Sequence, residues 1–222
     1  ILKLLNHNSL PRIIDIFHGA DGTYLVESYI EGVSLDKVLA TGQRPNQAVV
    51  LDWAEQLAPV LAYLHGMQPH PILHFDLKPS NIMVTHDNRL VLIDFGISKR
   101  HGADSDRAIG VTYAYAAPEQ LPAQVPERYR PLVAQRFGTL PESQARWRPD
   151  ARTDLYSLGV ILFELATGEH PTHQNSGRIK NAVSGELADI ILRCLALEPG
   201  GRYQTAVELL AALQRAKGSR FK

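Results

Sequence analysis

The sequence predicts an α+β fold, with a small sheet toward the amino terminus joined to a larger, mainly helical part. Two observations carry this. Runs rich in β-branched and aromatic side chains fall early, at residues 12–17, 23–29, 82–85 and 90–93. Helical apolar periodicity dominates late, at residues 153–167, 186–197 and 205–216. Internal repeats and low-complexity stretches are absent from the sequence.

Taken in order, the chain opens on ILKLLNH, which reads as the last turns of an amphipathic helix with no N-cap ahead of it. The sequence GADG joins residues 12–17 to 23–29 as a hairpin. EGVSLDKVL follows, with Ser34 placed to cap a short helix. Between residues 45 and 67, Val49, Trp53, Leu57, Val60, Leu61 and Leu64 form one apolar helical face, which His65-Gly66 ends. HDNR links residues 82–85 and 90–93 in a second hairpin, and residues 99–108 are polar and read as a loop. Residues 121–150 carry prolines at 122, 126, 131, 141 and 149 and many arginines. That stretch is long for a plain connection and is expected to be a surface insertion.

Composition narrows the function classes. The chain has 222 residues, 45% hydrophobic and 21% charged, an ordinary globular balance long enough to bury a core. Lys plus Arg and Asp plus Glu are 23 each, so nothing suggests a nucleic-acid groove or an anionic membrane partner. The single cysteine, Cys194, excludes an internal disulfide and fits a reducing, cytoplasmic setting. Its apolar neighbours mark it as a core thiol. No signal peptide is visible. The longest apolar stretch, residues 155–166, falls well short of the ~20 residues that cross a bilayer.

Three segments carry chemistry: His74-Phe75-Asp76-Leu77-Lys78-Pro79-Ser80-Asn81, then Asp94-Phe95-Gly96, then Ala117-Pro118-Glu119. Each alone reads as a turn or a strand end. Their order and separations, 5 residues from Asp76 to Asn81, 13 to Asp94 and 25 to Glu119, form a set. In that order the segments resemble the protein kinase family, specifically the bacterial, eukaryotic-like serine/threonine kinases, over nearly the whole chain.

The resemblance implies a protein kinase-like fold, with residues 1–30 as part of the small β lobe and 31–222 as the helical lobe. It implies ATP and Mg²⁺ as cofactors and a protein carrying Ser or Thr hydroxyls as substrate. Phosphoryl transfer asks the protein for positioning and electrostatic stabilisation. Asp76 matches the residue that accepts the substrate hydroxyl proton, Lys78 the γ-phosphate contact, and Thr112 the residue that bonds both. Asn81 and Asp94 match the metal ligands, hard oxygens suited to a small cation carrying phosphates. Glu27, Ser28, Tyr29 and Ile30 match the strand and hinge around the adenine site, with Met83 a further nucleotide contact. His74, Phe95, Gly96, Glu119, Asp154 and Arg202 match structural positions. Among these, His74 is expected under Phe95, Asp154 on the catalytic-loop backbone, and Arg202 paired with Glu119.

The sequence also departs from the family. No GxGxxG occurs, and the resemblance places that loop, a strand lysine and a helix glutamate ahead of Ile1, so the chain as given is expected to bind ATP poorly. Phe75 stands where most relatives have arginine, which weakens the expectation of control by loop phosphorylation. Val111 stands where glycine is usual before the threonine. Glu27 puts a carboxylate at the position that gates the pocket behind adenine. The 35 residues from Glu119 to Asp154, and the short stretch from Pro171 to Glu186, leave the phosphorylated target unreadable. Two rival readings are a pseudokinase that binds partners without catalysis, and a small-molecule kinase of related fold. The first is opposed by Asp76, Lys78, Asn81 and Asp94; the second by the Ala117-Pro118-Glu119 segment, Thr112 and Arg202. The expected location is cytoplasmic, either alone or as the cytosolic domain of a membrane-anchored protein, and the oligomeric state is open.

Overall fold

The computed structural model describes residues 5–94 and 112–218. Its first sheet is a hairpin of β1 (Ile13–Gly19) and β2 (Gly22–Glu27), antiparallel, with Phe17 opposite Tyr24. Both strands run into the flanking glycines, so the turn is tighter than the sequence alone implies. Phe17 and Tyr24 stack at 5.0 Å on an exposed face.

The strands form two sheets rather than one. The second holds β3 (Val33–Ser34), β4 (Ile82–Val84) and β5 (Leu90–Leu92) in the order β3-β4-β5, all antiparallel. Gly32 admits the chain beside β4, because a Cβ there would stand 2.4 Å from the Val84 carbonyl oxygen. Ser34 occupies the N-cap position of α1 (Leu35–Ala40), but its side chain makes no cap bond, contrary to expectation. Its backbone is instead engaged opposite Met83.

Helix α2 (Gln47–His65) starts where the Asn46 side chain accepts the amides of Ala48 and Val49. Farther along lie α3 (Arg130–Phe137), α4 (Ala151–Thr167), α5 (Ile179–Ala182), α6 (Gly185–Cys194) and α7 (Ala206–Gly218). Helix α4 opens on a capping box between Asp150 and Thr153 and ends at Gly168, whose φ of 71° suits a residue without a Cβ. Helices α2, α4, α6 and α7 bury one continuous core. Helix α4 is enclosed on nearly every side, which explains why its apolar run is continuous rather than periodic. Cys194 is buried there, and burial pushes its thiol pKa up to about 12.

Residues 121–150 do not loop out as a bare surface insertion. Val125, Leu132, Val133 and Leu140 pack against a second small core of Tyr113, Ala117, Leu121, Phe137, Tyr156 and Val160. Tyr129 stacks on Tyr113 with ring centroids 4.0 Å apart. The apolar members of a proline- and arginine-rich stretch are too far apart in sequence to show a period, so their common face appears only in three dimensions.

Candidate active site

The site is built from Asp154 outward. At the start of α4, this carboxylate is fully buried. Its Oδ1 accepts the Phe75 amide at 2.8 Å, and its Oδ2 accepts the His74 amide at 2.9 Å and His65 Nε2 at 2.8 Å. Burial alone would raise its pKa; the hydrogen bond and charge of His65, with those of His74, more than offset this and hold it below the ordinary value. Since the carboxylate accepts, Nε2 carries the proton of His65. In sequence His65 shows only as a helix end, because its partner lies 89 residues away. His74 is buried, and desolvation lowers its pKa despite the opposing charges of Asp154 and Asp76.

Phe75 sits at φ 60°, a left-handed conformation that costs a bulky L residue roughly 1–2 kcal/mol. It is held there from two sides. Its amide donates to Asp154, and its carbonyl accepts Gln120 Nε2 at 2.7 Å. Gln120 Oε1 in turn accepts the Ala117 amide at 3.0 Å. Sequence reading passed over Gln120, whose only signal is that it directly follows Ala117-Pro118-Glu119.

This clamp presents Asp76. Its Oδ1 accepts Thr112 Oγ1 at 2.7 Å and its Oδ2 accepts Lys78 Nζ at 2.6 Å. Lys78 Nζ also donates to Thr112 Oγ1 at 3.2 Å, closing a three-membered set across 36 residues of sequence. Asn81 is buried, and its Nδ2 donates to the Asp76 carbonyl at 3.0 Å. Its Oδ1 accepts the Ser80 hydroxyl at 3.4 Å. The Asn81 carbonyl accepts the Ile93 amide at 2.8 Å, which puts Asp94, the next residue, at the same mouth. Asp94 stands at φ 55°.

The other expected positions fall as follows. Glu27 ends β2, and its pKa is raised by desolvation and then by the charge of Asp94. The Ser28 amide donates to the Arg12 carbonyl at 2.9 Å, and the Ser28 hydroxyl accepts the Arg12 amide at 2.9 Å. Tyr29 is exposed and Ile30 half-buried just beyond the strand. Met83 lies mid-strand between Ser34 and Val91. Phe95, Gly96, Val111 and the loop at 99–108 lie outside the described residues, so the expected His74–Phe95 packing is not addressed. Arg202 and Glu119 are both fully buried and form a two-pronged pair at 2.6 and 2.9 Å. Arg202 spends its other donors on the carbonyls of Ala196, Arg152 and Leu197, so all five N–H groups are used. Thr153 Oγ1 completes the site at 2.8 Å from Glu119.

The small sheets, the helical bundle and this loop together define the class, a protein kinase-like α+β domain. The protein kinase domain family matches residues 1–212. The chain therefore belongs to the protein kinase domain family. It is 31% identical to the serine/threonine-protein kinase PknB of Mycolicibacterium smegmatis over 95% of the chain and 34% of that protein. It is 32% identical to PknA of Nostoc sp. over 92% of the chain and 35% of that protein. A probable serine/threonine-protein kinase of Clostridium acetobutylicum is 29% identical over 98% of the chain and 32% of its own length. The chain thus spans about a third of these relatives. Among solved structures, the PknI kinase domain of Mycobacterium tuberculosis matches with a TM-score of 0.65 at 22% identity, covering 96% of this chain and 74% of that one.

Proposed function

We propose that this domain transfers the γ-phosphoryl group of ATP to Ser or Thr hydroxyls of a protein. The observation that carries the reading is the Asp76 carboxylate, held by Lys78 and Thr112 while Asn81 grips its backbone. Membership of the family implies ATP and a divalent metal in general terms. The residues fit Mg²⁺: Asn81 and Asp94 lie at the same mouth, and both offer hard oxygen donors. When bound there, Mg²⁺ would neutralise charge on the transferring phosphates.

The chain's own groups do the rest. Thr112 and Lys78 fix both oxygens of Asp76, so that the carboxylate meets an incoming hydroxyl in one orientation and takes its proton. Lys78 Nζ, between Asp76 and Thr112, offers positive charge to the phosphate being transferred. Glu27, Ser28, Tyr29, Ile30 and Met83 form the nucleotide side of the reading. The anchored Glu119–Arg202 pair supports a protein substrate over a small molecule, because it stabilises the segment running from Thr112 to Gln120. The cytosol is the proposed location; among the described residues, no helix is long and apolar enough to cross a membrane.

The test is Asp76→Asn in the full-length protein. Transfer from labelled ATP to a protein hydroxyl is expected to fall by at least about 100-fold with nucleotide binding retained, as expected for loss of a general base. Unchanged transfer in Asp76→Asn would overturn the reading.

A further inference from the structure

Arg136, from α3, is buried to 4% exposure, yet among the described residues no carboxylate pairs with it. Burial lowers its pKa, as expected for a charge removed from water. A buried cation without an anion is costly, so its contacts show what it holds. Its Nη1 donates to the Tyr113 carbonyl and, at 2.9 Å, to the Ala116 carbonyl. Its Nη2 donates to Tyr156 Oη at 3.2 Å. The guanidinium also lies over the Phe137 ring, 4.5 Å from its centroid.

These bonds belong to a pattern. Every backbone carbonyl from Thr112 to Pro118 is occupied. Thr112 O accepts the amides of Tyr115 and Ala116, and Ala117 O accepts that of Gln120. Side chains take the others: Arg136 at Tyr113 and Ala116, His170 at Ala114, Ser157 at Tyr115, and Gln144 at Pro118. Two of these side chains, Arg136 and Gln144, come from the 121–150 stretch. The segment they fasten begins at Thr112, which bonds Asp76 directly. Beside Ala114 the stretch also walls a cleft of about 400 Å³, with Leu132, Gln135, His170 and Thr172 among its lining residues.

We propose that the 121–150 stretch is an internal brace, and that Arg136 is its positioning residue, holding the Thr112–Ala117 segment and through Thr112 the Asp76 carboxylate. The brace rests on the kinase reading only for its effect on rate; its effect on the segment is independent of that reading. Arg136 touches neither the nucleotide side of the site nor Lys78, so its loss acts on the protein substrate and on turnover, not on ATP affinity.

The experiment compares wild type, Arg136→Met and Arg136→Lys in the full-length protein. Met keeps most of the volume and removes the donors; Lys keeps the charge and restores some bonding. In the Met variant, kcat/KM for a protein or peptide substrate is expected to fall about 10- to 100-fold, as for a misplaced catalytic group. KM for ATP is expected to stay within about twofold, because uniform nucleotide binding is untouched. Hydrogen exchange at the amides of Tyr115 and Ala116 should accelerate while α2 and α4 keep their protection, with Lys intermediate in both readouts. Unchanged exchange in that segment overturns the proposal, as does loss of protection throughout α2 and α4, which would make Arg136 a general core residue. If the wild type transfers no phosphate, the kinase reading fails while the exchange arm still decides the brace.

Discussion

Asp154 shows how much one carboxylate can organise. It takes three donors from two distant elements, and none is a substrate group. Replacing it by Asn keeps the shape but sets an amide against N–H donors. Asp154→Asn is expected to cost about 2–4 kcal/mol of unfolding free energy, read from urea titration, as for a buried charged acceptor removed from its donors. His74 gives a pH signature. Its folded pKa lies below 6.5. The unfolded chain therefore takes up a proton that the folded chain refuses, and stability falls as pH drops through 6.5. His7 has the same sign but is less buried. Asp154 acts with carboxylate sign: its contribution is present above 3.8 and lost as pH falls through its lower folded value. The melting temperature should thus decline between pH 7 and 5, and His74→Phe should flatten that slope. Asp76, Lys78, Asn81 and Asp154 were legible in the sequence through the family resemblance that the motif segments carry. His65, Gln120 and Arg136 were not, because each acts on a backbone group or a distant partner that leaves no local pattern.

At the scale of elements, the ends of α2, α4, α6 and α7 were legible to within about three residues, since apolar faces and capping residues are local signals. The failures were of association. The two hairpins were legible, but β3 was not, because two residues show no alternation and their pairing depends on Gly32 passing close to β4. The short α5 is too brief to show a period. The crossing of α4 and α6 is likewise invisible in sequence. Gly159 lets the two helices meet so closely that a Cβ there would stand 2.6 Å from Cys194 Cβ. Gly159→Ala should therefore destabilise despite the better helix propensity of alanine, by about 1–3 kcal/mol, as for an overpacked core. Thermal and urea unfolding would measure it; a gain in stability would show that the helices separate freely.

Across the whole molecule, the elements around Asp76 hang from one buried scaffold. Helix α4 carries Asp154 to the loop, offers Ser157 to the Tyr115 carbonyl and Glu164 to the Tyr115 hydroxyl, and meets α6 at Gly159. Glu119 and Arg202 lock the far end of the same segment. The β1–β2 hairpin stands apart, with Ile14, Phe17, Tyr24 and Val26 exposed. The α4–α6 contact has one more consequence. The chain's only thiol is sealed beneath it, with its proton held tightly. Thiol-directed oxidants and alkylating reagents therefore have no cysteine to reach in the folded domain, and its activity should be indifferent to thiol modification. The same thiol becomes a reporter: a maleimide should label Cys194 only in molecules that have come apart globally, so its labelling rate would time the opening of the scaffold itself.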